Sequence, residues 1–203
     1  MKTVRRRLAA GPPAPILPAM LGRFLYGFVL VLGLNGGMAL ADQRDHRLGG
    51  LFGKLKQTDR PDEARLIEQA IWAVWLESGS ATVDLLMHRA LQAMSGGDYP
   101  TGMVLFNSIV ELAPNYAEGW NKRATLYYLM GEFTASIGDV ERTLALEPRH
   151  FGALSGLGLI HNELGDEAKA LDAYERALAV HPHISLAQSE IERLRKKVRG
   201  ERI

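Results

Sequence analysis

The chain has 203 residues, of which 47% are hydrophobic and 23% charged, a composition typical of a folded globular protein. The formal net charge is +1, but the first 41 residues hold five basic and no acidic residues, so the remaining chain has a net charge of about −4. A weakly acidic chain lacks the clustered positive charge that binds nucleic-acid phosphates, and we expect no nucleic-acid partner. The absence of cysteine excludes disulfide bonds, thiol catalysis and thiolate metal sites.

The N-terminus has the pattern of an export signal. An apolar run over residues 24–34 follows a basic segment, and Ala39 and Ala41 form an A-x-A cleavage pattern. The sequence therefore predicts a signal peptide over residues 1–41, with Met20 as an alternative start, and a periplasmic mature protein. The uncharged stretch that begins with the apolar run reaches the lower limit for a membrane span. An uncleaved anchor in the inner membrane is the alternative prediction.

A strong helical pattern follows the export signal. Pro61 stands near the start of a helix with one apolar stripe, and a weaker helical segment over residues 48–57 precedes it. Trp72 and Trp75 lie three residues apart, a spacing that favours packing or capping over a ligand cage. We interpret residues 42–82 as a degenerate, shortened form of the helix pair that repeats after it.

Glycine and proline recur with a period of 34 in the second half of the chain. Three glycines and three prolines share this spacing, at Gly97, Gly131, Gly165, Pro114, Pro148 and Pro182. A fixed period of this length indicates a repeat architecture. Alignment on proline predicts three repeats, over residues 83–116, 117–150 and 151–184.

The residue types within the repeats resemble the tetratricopeptide repeat. The middle repeat has Trp120, Ala124, Tyr127 and Pro148 where that family has tryptophan, a small residue, tyrosine and proline, and all three repeats depart from the pattern at some places. The resemblance covers 102 of the 203 residues. It implies an all-α solenoid of helix-turn-helix units, and an interaction module whose first helices line a concave groove for a peptide or helix of another protein.

Physical chemistry predicts the same helix pairs independently of the family. Gly131 suits the end of a first helix because glycine adopts positive φ at little cost, and Pro148 ends the second helix because it cannot continue a helix interior. One hairpin cannot bury its own apolar stripe, so neighbouring pairs must stack. We expect Trp120 to be buried where two repeats meet, with about 3–5 kcal/mol of stability lost in Trp120→Ala.

Residues 185–203 predict a C-terminal capping helix with a basic tail. Ser185 and Gln188 match a capping box, and apolar residues at helical spacing form one stripe on an otherwise polar helix. The basic cluster consists of Arg193, Arg195, Lys196, Lys197 and Arg199. Cations near a helix C-terminus interact favourably with its dipole, and we favour this interpretation over contact with anionic membrane lipid.

No residue pattern indicates catalysis, a metal or a cofactor. His181 and His183 are the only close-set histidines, and no third ligand accompanies them. The glycine-rich segment over residues 155–158 lies inside a predicted helix and no lysine follows it, so it does not match a phosphate-binding loop. We therefore predict a protein that is not an enzyme and needs no cofactor.

The family resemblance also implies which side chains face the groove, at five places of each repeat. The candidate partner-binding residues are Asp84, Met87, Leu91, Met94, Glu118, Asn121, Thr125, Tyr128, Leu129, Ser155, Leu159, Asn162 and Glu163, with Ser95 and Gly152 at the two remaining places. The set lacks the Lys and Asn pattern with which some family members clamp a C-terminal carboxylate. We expect Asn121 and Asn162 to pair with backbone amides of a bound peptide. The alternative is that neighbouring repeats cover Met87, Leu91 and Leu159.

These features together predict a protein–protein interaction scaffold of the bacterial cell envelope. Its partner is another protein or peptide, bound in the concave groove. The alternative prediction is a structural subunit of an envelope complex, anchored by an uncleaved N-terminal helix and using its convex face or its ends.

Overall fold

The computed structural model describes residues 45–198, and the predicted signal peptide and Arg199 lie outside this part of the chain. The described residues form nine α-helices and no strand, which confirms the predicted all-α class. In chain order the helices are α1 (His46–Gln57), α2 (Pro61–Leu76), α3 (Ala81–Ser95), α4 (Tyr99–Leu112), α5 (Ala117–Leu129), α6 (Phe133–Leu146), α7 (Phe151–Glu163), α8 (Glu167–Val180) and α9 (Ser185–Val198).

Helices α3 to α8 form three successive pairs. The two helices of a pair contact each other more extensively than they contact the adjacent pair. Small residues allow this close approach. A Cβ added to Gly158 of α7 would lie 2.5 Å from the ring of Tyr174 in α8, so this contact requires glycine. In the middle pair, the Ser136 hydroxyl donates a hydrogen bond to the carbonyl of Ala124 at 2.7 Å. The helices of each pair are thus joined where the repeat has its smallest side chains.

Glycines end the first helix of each of these three pairs. Gly97, Gly131 and Gly165 have φ of 76°, 77° and 74°, a conformation that side chains with a Cβ rarely adopt. After Gly131, the backbone N–H of Glu132 donates to the carbonyl of Tyr127 at 2.9 Å, as in a Schellman motif. The role predicted for Gly131 is therefore confirmed, and the 34-residue spacing reflects the same turn used three times.

Trp120 differs from the prediction. It is half-buried rather than buried, its indole N–H donates to the carbonyl of Pro114 at 3.0 Å, and the guanidinium groups of Arg123 and Arg142 lie 4.9 and 5.8 Å from its ring. The fully buried Tyr116 instead joins the core that α3 and α4 share with α5. The large side chain at the repeat junction is thus supplied by the residue that precedes α5.

Helices α1 and α2 form an N-terminal hairpin that packs in a different place from the repeats. Its apolar face forms a cluster with Phe151 of α7, and Val180 and Ile184 from the α8–α9 region pack against that cluster. The cluster contains no residue of α3, the next helix in the chain. The interpretation of residues 42–82 as a shortened repeat therefore does not account for this packing, because a repeat would stack on its neighbour in sequence.

Helix α9 covers the end of the last pair. Ala187, Ile191 and Leu194 are buried against α8, as expected for an amphipathic helix with one docked side. Two cations in the last turn of α9 form ion pairs with α8. Arg195 pairs with Glu175 at 2.6 Å, and Lys197 pairs with Glu167. These pairs give the basic cluster a structural role at this end of the solenoid. None of the helices in the described part of the chain has the length and apolarity to cross a membrane.

Candidate partner-binding groove

Helices α5 and α7, the first helices of the second and third pairs, line a concave pocket of about 200 Å³. It brings together six of the positions at which the family resemblance implied groove-facing residues: Asn121, Thr125, Tyr128, Gly152, Ser155 and Leu159. The pocket exists because the two helices pack side by side, with the second helix of each pair behind them.

The pocket is mainly apolar with a few polar groups. Its walls include Val140, Ile160 and the ring of Tyr128, and burial and the nearby charge of Glu163 raise the pKa of the Tyr128 hydroxyl. The Ser155 hydroxyl oxygen is buried, and no hydrogen-bond partner for it exists among the described residues. This oxygen is closed off from solvent, so it is not a contact point for a ligand in this structure.

Glu118 was predicted to face a ligand, but it is fully buried beneath the groove. Its carboxylate accepts hydrogen bonds from His150 Nε2 at 2.9 Å and Asn121 Nδ2 at 3.0 Å, and pairs with Lys122 Nζ at 2.9 Å. Burial raises the pKa of Glu118, but the bond from His150 and the charge of Lys122 outweigh it, and the pKa lies below its usual range. The carboxylate is therefore ionised, and its bonds are made within the fold.

The predicted residues of the first pair lie away from the pocket. Met87 is buried in the core between α3 and α4, and Leu91 and Met94 are partly buried against the same core. The alternative prediction was cover by neighbouring repeats; Met87 is instead buried mainly within its own pair, with Leu126 of the next pair in the same core, and Leu159 lines the pocket. Asp84 Oδ1 accepts hydrogen bonds from the backbone N–H and hydroxyl of Ser78, at 3.0 and 2.5 Å, and so orders the loop before α3.

Asn162 is also engaged within the fold. Its amide nitrogen donates to Glu190 Oε2 at 2.8 Å and to the Tyr174 hydroxyl at 3.2 Å, and its amide oxygen accepts from Arg193 at 3.2 Å. The expectation that Asn162 pairs with a bound peptide is therefore not met, because α9 satisfies its amide. Leu129 and Glu163 are exposed at the far ends of α5 and α7.

One groove residue comes from a helix that the sequence did not associate with the groove. Trp72 of α2 packs on Gly152, where an added Cβ would lie 2.6 Å from the indole. Lys122 Nζ lies 4.9 Å from the centre of the same ring. A glycine at a groove-facing place was the available signal, since it leaves room for a large side chain from elsewhere.

Positive charge is absent from the lining of this pocket. None of its described lining residues is Lys or Arg. Lys122, which follows the lining residue Asn121, pairs with Glu118. No group of three His, Asp or Glu side chains in the described part of the chain is placed to hold a metal ion. The chemistry available here is the burial of apolar groups with a few hydrogen bonds.

Comparison with known proteins agrees with this geometry. Residues 121–183 match a family model described as Tetratricopeptide repeat. A TPR repeat-containing protein of Rhizobium etli is 41% identical over 156 residues, which are 77% of this chain and 76% of that protein.

Solved structures share the fold. The Sgt2 TPR domain from Aspergillus fumigatus has a TM-score of 0.56 at 22% identity, covering 59% of this chain and 81% of that domain. The first TPR of Spaghetti (RPAP3), bound to the HSP90 peptide SRMEEVD, has a TM-score of 0.55 at 20% identity, covering 58% of this chain and 93% of that one. At these identities the two structures support the fold alone, and they confirm the predicted helical solenoid.

Proposed function

Because this chain belongs to the tetratricopeptide repeat family, we propose that it is a non-enzymatic interaction scaffold that binds a segment of another protein in the pocket between α5 and α7. The observation that supports this most directly is the mainly apolar pocket of about 200 Å³ between the first helices of two adjacent pairs. A peptide or helix would place one large apolar side chain there.

The ligand class follows from the charge of the pocket. The RPAP3 domain binds a peptide that ends in EEVD. The pocket of this chain has no Lys or Arg in its lining, so an acidic tail would lose hydration without gaining a cationic partner. We therefore propose an apolar or weakly charged segment as the ligand. This agrees with the absence of a carboxylate-clamping pattern in the sequence.

A pocket-filling variant tests this proposal. Gly156 lines the pocket, and a Cβ there would meet no atom within 4 Å, so we expect the indole of Gly156→Trp to occupy the pocket. Gly138→Trp is the matched control, because Gly138 lies within α6, is exposed outside the pocket and also has no neighbour near an added Cβ.

Tagged full-length protein captures partners from envelope extracts, which mass spectrometry identifies, and a peptide from the identified partner is then titrated. We expect Gly156→Trp to weaken binding at least about tenfold and Gly138→Trp to leave it unchanged. Equal binding by the two variants would exclude the pocket as the binding site.

We also propose that the scaffold is exported to the cell envelope. The apolar run over residues 24–34 and the A-x-A pattern before Asp42 support export and cleavage. Intact-mass analysis of protein from the periplasmic fraction should give a product that starts at Asp42. A membrane-bound product that retains the apolar run would instead support the alternative, an anchored subunit of an envelope complex.

A further inference from the structure

The N-terminal hairpin occupies part of the groove with two indoles. Trp75 stacks on the imidazole of His150, with the ring centres 4.1 Å apart and the planes 8° from parallel. Next to it, Trp72 lies against Gly152, which also lines the pocket between α5 and α7. The beginnings of α5 and α7 are thus covered by a helix of the same chain.

The surface under Trp72 is formed to receive an aromatic ring. Gly152 provides a floor of backbone, since any side chain there would enter the space of the indole. The Lys122 ammonium lies 4.9 Å from the ring centre and is held by Glu118 at 2.9 Å. A cation over an aromatic face is attracted by the ring quadrupole. We call Gly152, Lys122 and His150 the ring site.

The third member of the ring site, His150, is held rigidly. Its Nδ1 accepts a hydrogen bond from the backbone N–H of Ala153 at 3.1 Å, so its Nε2 carries the proton and donates to Glu118 at 2.9 Å. The same imidazole therefore caps α7, donates a hydrogen bond to a buried carboxylate and forms the platform for Trp75. A site whose walls are fixed in this way is organised before a ring enters it.

The other polar attachments of the hairpin lie at its edges. His181 Nε2 faces Glu68 of α2 at 3.3 Å, His183 Nε2 donates to the carbonyl of Thr58 at 2.9 Å, and the Tyr116 hydroxyl donates to the carbonyl of Leu76 at 3.0 Å. Each is a single contact to a loop, a helix end or a half-exposed side chain. Water can replace such hydrogen bonds when the hairpin moves away, whereas it does not replace the cation–π contact that Lys122 makes with an aromatic ring.

We propose that the ring site is a receptor for an aromatic side chain of a partner segment, and that Trp72 of the same chain occupies it until the partner displaces the hairpin. The proposal rests on the proposed function in one respect, namely that the partner is a protein segment. It adds that the anchoring side chain of the partner is aromatic and that Trp72 competes with it for the ring site. Because Gly152 belongs to both, the ring site and the pocket form one continuous surface for such a segment.

The test uses the hairpin itself as the probe. A fluorescent peptide of residues 46–76 is titrated into the full chain and followed by anisotropy. In the wild-type chain the tethered hairpin competes at a high effective concentration, so the peptide should bind weakly. In the chain with Trp72→Ala and Trp75→Ala the internal rings are gone, and binding should be at least about tenfold tighter.

A matched pair of further substitutions locates the binding. Gly152→Leu, added to the double variant, should abolish peptide binding because it fills the floor of the ring site. Gly138→Leu, on α6 and outside the pocket, should retain it, since Gly138 is exposed and a Cβ there meets no atom within 4 Å. Far-ultraviolet circular dichroism and thermal melting establish that all four chains are folded.

Equal affinity for the wild-type chain and the double variant, no binding to the double variant, or equal effects of Gly152→Leu and Gly138→Leu would each overturn the proposal. The titration involves no natural partner. The outcome of the titration is therefore independent of the partner-capture experiment. The ring site can be supported even if Gly156→Trp leaves partner capture unchanged, and it can be excluded even if partner capture depends on the pocket.

Discussion

The three helix pairs from α3 to α8 and the N-terminal hairpin are all two-helix units, but different contacts hold them in place. The pairs are joined by small residues that recur at one spacing, as in the contact of Gly158 with Tyr174. The hairpin is joined by contacts that occur once, above all the two indoles on His150 and Gly152. Regular stacking distributes stability over many equivalent contacts, whereas the hairpin depends on a few side chains.

This comparison predicts the largest loss of unfolding free energy for a residue that contacts both the helix pairs and the hairpin. Tyr116 is fully buried in the core of α3, α4 and α5, and its hydroxyl also bonds to Leu76. Tyr116→Ala should lower the free energy of unfolding by about 3–5 kcal/mol. Trp120→Ala should cost only about 1–2 kcal/mol, because that ring is half-buried. Urea titrations of both variants measure the difference, and equal losses would contradict these positions.

A smaller loss is expected inside the last pair. The Cβ of Gly158→Ala would lie 2.5 Å from the Tyr174 ring, and the overpacking should cost about 1–3 kcal/mol. Gly156→Ala on the same helix should instead stabilise the protein by about 0.5–1 kcal/mol, since it meets no neighbour and removes backbone freedom. Thermal melting compares the two, and a stabilising Gly158→Ala would show that the pair tolerates a wider separation.

A local effect should separate the hairpin from the pairs. Gly152→Ala forces the Trp72 indole off its floor, so amide hydrogen exchange in α1 and α2 should increase at least about tenfold. Exchange within α5 to α8 should stay close to that of the wild-type chain, and Gly156→Ala should leave the hairpin protected. If all helices lost protection together, the hairpin and the pairs would form one cooperative unit.

The smallest effect concerns pH. Burial lowers the pKa of His181 below 6.5, although Glu68 of α2 favours its charged form and His183 opposes it. The unfolded chain therefore binds the proton more readily than the folded one. The contribution of neutral His181 to stability is complete above about pH 6.5 and is lost as the pH falls from there through the lower pKa of the folded state.

Removal of the imidazole checks this assignment. His181→Gln should reduce the loss of unfolding free energy between pH 7 and pH 5 compared with the wild-type chain, because glutamine does not titrate. The same pH dependence in both chains would assign it to other groups.

The sequence predicted the repeated part of the fold well and the groove only in part. Gly131 and Pro148 mark helix ends through backbone chemistry that acts within a few residues, and the amphipathic stripe of α9 likewise needs only its own helix. Glu118 and Asn162 occupy groove-facing places of the repeat, yet the fold satisfies both side chains from helices or turns some 30 residues away. A position in a repeat indicates a face, but it does not show which neighbour has already paired with the side chain there.

The sequence by itself therefore determined the all-α class, the 34-residue helix pairs and the amphipathic terminal helix, because each depends on spacing along one or two helices. The tertiary structure alone decided that α2 lies against α7, that Trp72 occupies the ring site, and that Tyr116 rather than Trp120 fills the repeat junction. These contacts join residues far apart in the chain whose pairing has no period. They form because two indoles gain more by packing on a glycine and a fixed imidazole than by remaining in water.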